Sequence, residues 1–197
     1  MTNQIEIKSR DRVRDAGEVF TPQHIVEDMI KLIPDESWAD TSAPVIEPTC
    51  GNGNFIVGII DKLLSLNLTI TQALTKTFGM DIMVDNIQDV YMRVYRNYLM
   101  RLPDDERINC QAILLNNIVV VKDSLQFNPI EMFTFFHELK ATAKNKRIRL
   151  AKANDKMIQS GKQIEVLDES VFVSYKKYKG EISNVQSFES IQESLPL

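Results

Sequence analysis

Several residue types are scarce in this chain, and the scarcities exclude more than the abundances suggest. Two cysteines occur in 197 residues, Cys50 and Cys110. One lies in a glycine loop and the other at a polar-to-apolar transition, so no disulfide framework is expected and a reducing, cytoplasmic setting fits. No apolar run approaches the roughly 18 residues that a membrane span needs. The opening MTNQIEIKSRDR carries charge without an apolar stretch, so no secretory signal is read. Histidine occurs twice, at His24 and His137, and no His/Cys/Asp/Glu cluster has metal-ligand spacing. The lone tryptophan, Trp38, has Leu32 and Ile33 near it and reads as packing. No Gly-Lys-Ser/Thr follows a glycine loop, which excludes a P-loop.

Charge of one sign is also not in large excess: the net charge is −4. That average hides segregation. Between Lys140 and Lys162 there are eight Lys or Arg and one acid, Asp155, whereas Glu181 to the end holds three Glu and no base. A basic run of this kind is either a polyanion contact or a solvated helix face.

What is present is an alternation. Pro44-Val45-Ile46, Thr77-Phe78-Gly79-Met80 and Asn117-Ile118-Val119-Val120-Val121 read as buried strands. Between the first two, Phe55, Ile56, Ile59, Ile60, Leu63 and Leu64 follow helix spacing. Between the second and third, Val84, Ile87, Val90, Tyr91, Val94, Tyr95 and Tyr98 do the same. Strand, helix, strand, helix, strand predicts an α/β fold with a parallel sheet. An earlier helix over about Gln23 to Ile33 carries Ile25, Val26, Met29, Ile30 and Ile33 on one side, with Thr21 as its N-cap and Pro22 in its first turn.

Beyond the third strand, Asn128-Pro129-Ile130-Glu131 reads as a capped helix start. Met132, Phe136, Leu139, Ala143, Leu150, Ala153 and Met157 then trace one stripe of a long helix ending at Gly161, with the basic residues on its far face. Gln163 to Tyr175 is expected to form a hairpin around Asp168-Glu169-Ser170. The organisation expected is a domain over 1–127, a basic helix and hairpin over 128–180, and an acidic tail over 181–197.

The segment that carries chemistry runs from Val45 to Phe55, Val-Ile-Glu-Pro-Thr-Cys-Gly-Asn-Gly-Asn-Phe. A strand ends in an acid, turns through Gly51 and Gly53, and launches a helix whose free N–H groups face a ligand. The third glycine of the dinucleotide fingerprint would fall at Ile56, which counts against NAD. Asp81, ending the second strand, is either a ribose ligand or a helix cap. Asp123, after the third strand, is either an acceptor for an adenine amine or a turn residue.

Taken in order, Gly17-Glu18-Val19-Phe20-Thr21-Pro22, Glu47 to Phe55, Gly79-Met80-Asp81-Ile82 and Asp123-Ser124-Leu125 resemble the N6-adenine DNA methyltransferases. The order is that of members with an N-terminal Phe-Thr-Pro motif, as in type I and type IIG restriction–modification systems. The resemblance covers roughly residues 14–125. It implies a shortened Rossmann-like methyltransferase fold, a parallel sheet with flanking helices, with S-adenosylmethionine as cofactor; the long C-terminal helix read above lies beyond it. By it, Phe20, Thr21 and Pro22 wall the methionine end. Glu47, Pro48, Cys50, Gly51, Gly53, Asn54 and Phe55 cradle the cofactor, Asp81 holds the ribose and Asp123 the adenine, with Ile82 and Ser124 beside them also counted as cofactor-binding.

The family's catalytic motif, Asn or Asp followed by two prolines and an aromatic, does not occur, since the chain has no Pro-Pro pair. Asn128-Pro129 is the one Asn-Pro pair, and Ile130 and Glu131 follow it. The expectation is therefore a cofactor-binding protein without the family's catalytic motif. The alternative is a non-catalytic subunit, sensor or decoy in a restriction–modification setting. DNA is the expected polyanion for the Lys140–Lys162 face. Self-association or a partner protein is expected to cover the edge of so small a sheet.

Overall fold

The computed structural model describes residues 7–40, 43–121, 124, 127–142 and 144–167. The expected hairpin turn at 168–170, the acidic tail and Asp123 lie outside the described residues. The chain begins with α1 (Arg10–Ala16), α2 (Gln23–Lys31) and the short α3 (Asp35–Ala39). The sheet follows: β1 (Val45–Glu47), then α4 (Asn54–Ser65) and α5 (Ile70–Lys76), then β2 (Thr77–Asp81). Next come α6 (Val84–Val94), continuing as a π-helical turn over Tyr95–Leu99, then α7 (Asp104–Asn117) and β3 (Ile118–Val120). Finally come α8 (Pro129–Thr142) and α9 (Lys144–Gln159).

The sheet is parallel in the order β1-β2-β3, with Val45 opposite Thr77 and Gly79 opposite Ile118. The parallel sheet agrees with the sequence expectation, because β-branched runs separated by helices leave room only for crossover connections. Sheet-like bonding runs beyond the C-terminal ends of the strands: Cys50 N–H donates to Met80 O at 2.8 Å and Val121 N–H to Asp81 O at 2.9 Å. The outer edge of β3 is partly covered, since Val120 N–H donates to Leu167 O at 3.0 Å. Ile164 and Leu167 are buried there.

One face of the sheet is covered by α4. Gly79 allows this approach, because a Cβ there would meet Ile56 Cδ1 at 2.9 Å. The α4 helix buries Ile56, Ile59, Ile60 and Leu63. It also meets α2 closely: a Cβ at Gly58 would come within 2.6 Å of Ile30 Cδ1. The Phe78 ring packs on Phe136 of α8, centroids 4.6 Å apart.

Several expectations change in detail. Pro22, not Thr21, is the residue before the first turn of α2, and no side chain caps it. Pro22 O accepts from Ile25 and Val26 N–H instead. On α2 only Val26 and Ile30 are buried, both against Gly58 of α4, while Ile25 and Met29 on the helix and Ile33 just beyond it are exposed. Pro44 precedes β1, and Asn117 ends α7 instead of opening β3. Of the helix expected from Asn128 to Gly161, helical residues are described over Pro129–Thr142 and Lys144–Gln159. On α9 the buried positions are Ala151, Asn154 and Asp155, with Leu150, Ala153 and Met157 half-buried. The cause is polar: Asp155 is drawn inward by α7. Trp38 is core, with its indole N–H donating to Ile33 O at 3.2 Å.

Candidate cofactor site

The chain leaves β1 at Glu47 and reverses through a turn in which Gly51 has φ 51° and Gly53 φ 88°. A side chain at Gly53 would be strained, and its Cβ would lie 2.8 Å from Val90 Cγ2 of α6. At Gly51 the space a Cβ would need is bounded by the Phe20 ring, 3.0 Å away. The two glycines thus let the turn lie against α6 on one side and the Phe-Thr-Pro segment on the other.

Asp81 ties these parts together. Its Oδ2 accepts from Gly51 N–H at 2.9 Å, and its Oδ1 accepts from Met83 N–H at 2.8 Å and from Asn86 Nδ2 at 3.1 Å. It is not the cap of α6, whose N-cap position is Met83. Oδ2 accepts one bond from the protein and retains capacity for another. Glu47 Oε1 accepts from Thr49 N–H and Oγ1 at 3.1 and 3.2 Å.

A second network fixes the walls. Asn54 Nδ2 donates to Thr21 O at 2.7 Å. The Arg93 guanidinium donates through Nη1 to Asn52 O at 2.8 Å and to Asn54 Oδ1 at 2.7 Å. The relay from α6 through the glycine turn to Thr21 makes Asn54 a clamp between two motifs. Glu18 is held by Arg12 Nη2 and by Asn86 Nδ2, the latter at 2.8 Å, both donating to Oε1. Its Oε2 is buried and has no partner among the described residues.

These parts enclose a cleft of about 460 Å³. Phe20, Thr21, Glu47, Cys50, Gly51, Asn54, Phe55, Asp81, Ile82 and Ser124 all line it. Pro22, Pro48 and Gly53 do not: Pro22 opens α2, and Gly53 is buried beneath the turn. Asn128 and Pro129 are not in the lining either. Asn128 Oδ1 accepts from Ile130 and Glu131 N–H at 2.9 and 3.0 Å, and Glu131 Oε2 accepts from Asn128 N–H at 2.8 Å. The pair is a capping box, the helix start that its sequence suggested.

Glu18, Asn86 and Arg93 are the functional neighbours that sequence reasoning missed. Asn86 and Arg93 lie two helical turns apart on one face of α6, a spacing that was readable. Nothing in the sequence says what that face meets. Three carboxylates, Glu18, Glu47 and Asp81, line the cleft, and no Lys or Arg does so among the described residues. Burial, followed by the nearby Asp81 and Glu47 charges, pushes the Cys50 thiol well above its ordinary value, which favours the neutral thiol at the cleft wall.

No curated protein and no solved structure matches the chain. Residues 6–92, which hold the Phe-Thr-Pro segment, the glycine turn, Asp81 and Asn86, match the family model described as N-6 DNA Methylase, the family that the motifs resemble.

Proposed function

We propose that the cleft binds S-adenosylmethionine and that the chain is the cofactor-holding part of an adenine-directed DNA methylation system. The observation that carries this is the charge of the lining. Among the described residues three carboxylates, one of them (Glu18) paired with Arg12, and no cation line the cleft. That lining disfavours a pyrophosphate, as in a dinucleotide, and favours a ligand carrying a sulfonium, an ammonium and ribose hydroxyls. The cleft volume falls within the roughly 300–1,000 Å³ usual for small-ligand sites.

When bound, the cofactor would supply an electrophilic methyl group. The protein's part is placement. Asp81 Oδ2 offers a lone pair to a hydroxyl donor, Glu47 offers its second oxygen, and Phe20 and Phe55 supply apolar wall. The Arg93–Asn54–Thr21 relay keeps those walls in position, so that orientation is paid in advance of reaction. None of the residues of this cleft supplies the Asn/Asp-Pro-Pro-aromatic set that would present a target amine. Methyl transfer therefore depends on groups outside this set, such as those of a partner chain, or the chain serves as a non-catalytic binding module.

Lys146, Arg149, Lys152 and Lys156 are exposed on α9 and are the proposed phosphate-facing surface. DNA affinity through them falls steeply with salt; an affinity flat from low to moderate salt removes this role. Among the described residues no helix is long and apolar enough to cross a membrane. A partner or second copy covering the edge of β1, which has no neighbouring strand among the described residues, is read out by light scattering.

The deciding experiment is calorimetric titration of S-adenosylmethionine into the wild-type chain and into Glu47→Gln and Asp81→Asn. Saturable binding, weakened roughly tenfold or more by loss of a charge-assisted hydrogen bond, supports the reading. Absence of heat at millimolar cofactor, with the fold intact by circular dichroism, overturns it.

A further inference from the structure

A second cavity of about 520 Å³ lies between the sheet and the C-terminal helices, on the face opposite α4. Its floor is apolar: Ile46 of β1, Phe78 of β2 and Phe136 of α8, with the two phenyl rings inclined at 52° to one another. Its rim is Asn116, Asn117, His137 and Arg147. Lys76 also reaches this wall, but its ammonium is taken by Trp38 O and Asp40 O. Among the described lining residues there is no carboxylate.

Arg147 is partly buried and has no acidic partner among the described residues. Among the described residues one of its five N–H donors is used, with Nη1 donating to Asn116 Oδ1 at 2.9 Å. The amides beneath it are locked in sequence: Asn116 Nδ2 donates to Asn117 Oδ1 at 2.9 Å, and Asn117 Nδ2 to Leu74 O at 2.8 Å. The guanidinium is therefore anchored from α5 through α7, with the rest of its fork available. Burial lowers its pKa and no neighbouring charge offsets that cost. A cation held in this way, without a counter-charge, is an arrangement that an oxyanion would complete.

We propose that this cavity is a second ligand site, separate from the cofactor cleft, which takes an oxyanion carried on a flat ring. The carboxylate or phosphate sits on the Arg147 fork beside His137, and the ring lies over Phe78 and Phe136. Carboxylate and phosphate share this chemistry, and the probes distinguish them. The site shares no residue with the cleft, so it stands whether or not the cleft binds its proposed cofactor.

The test is titration of benzoate, phenyl phosphate and the neutral isostere benzamide into the ¹⁵N-labelled chain. The side-chain amide signals of Asn116 and Asn117 are followed. Saturable shifts of those signals with at least one of the two anions are expected, and the tighter of the two identifies the natural head group. Benzamide should bind roughly tenfold or more weakly, as should the best anion to Arg147→Gln, since each comparison removes a charge-assisted hydrogen bond. Arg147→Lys, which keeps the charge and loses the fork, should fall between, and Asp81→Asn should leave this binding unchanged. Equal affinity for benzamide and benzoate overturns the proposal, as does wild-type affinity in a folded Arg147→Gln protein. Asn116 and Asn117 signals that respond to neither anion in the wild-type chain overturn it without reference to any variant.

Discussion

The Arg107 guanidinium holds both oxygens of Asp155: Nε donates to Oδ1 at 2.8 Å and Nη2 to Oδ2 at 3.1 Å. The two side chains are 10% and 9% exposed, respectively. Gln111 Nε2 adds a bond to Oδ1 at 2.8 Å and Gln159 Nε2 one to Oδ2 at 3.0 Å. The one acid of the basic segment is thus the peg that docks α9 on α7. Its placement turns Lys146, Arg149, Lys152 and Lys156 outward.

Removing that peg leaves Arg107 buried with only Asp104 and a carbonyl for partners. Asp155→Ala is expected to cost about 3–5 kcal/mol, the usual penalty for breaking a buried pair from one side. Urea unfolding monitored by circular dichroism measures it. A loss well under 1 kcal/mol would mean that α9 is not docked through this contact.

The same pair sets an acid limb. Hydrogen bonding to Arg107, against some burial, holds the Asp155 carboxyl below its ordinary value. A depressed folded-state pKa contributes stability that is present above the unfolded value, about 3.9, and lost as pH falls through the folded one. Stability should therefore decline below about pH 4, and the decline should be shallower in Asp155→Asn. Melting temperatures between pH 7 and pH 2.5 test this; identical slopes in the two proteins would assign the acid limb to other carboxyls.

Arg93 should behave as a positioning residue of the cleft, because it touches the glycine turn and not the ligand space. Arg93→Ala is expected to weaken S-adenosylmethionine about tenfold, with Arg93→Lys recovering part of the loss, since a lysine can still reach one of two acceptors. Calorimetry on both variants decides it. Affinity unchanged in a folded Arg93→Ala chain would leave the relay without a functional consequence.

Cys50 lines the cleft yet should be a poor nucleophile. Burial raises its thiol pKa, and that of Cys110 as well. Reaction with a disulfide reagent at pH 8 is expected to be slow for both thiols in the native protein and rapid after denaturation. One thiol reacting at the rate of a free cysteine in the native state would show that the turn around Cys50 opens.

The parts of the site legible in the sequence are those that local physics demands. A turn with two positive-φ residues that lies against α6 needs Gly51 and Gly53, and a strand ending at a helix start places Asp81 where it can accept N–H groups. Helices α4 and α6 were legible because their apolar spacing is strong, as in Ile56–Leu63 and Ile87–Val94. Helix α7 was not, because it buries Arg107, Gln111, Asn116 and Asn117, polar residues that break the apolar rhythm. The seven-residue α5 is too short to show a period.

The sequence alone determined the alternation of strands and helices and the residues of the glycine turn, because each is dictated within a few residues. The tertiary structure alone decided that Arg93 meets Asn54, that Asp155 turns inward to Arg107, and that Arg147 is anchored on Asn116. These pairs are separated by 39, 48 and 31 residues, respectively. A polar side chain's partner depends on which helices pack together, and that is fixed by burial of the whole apolar core, not by the chain on either side of it.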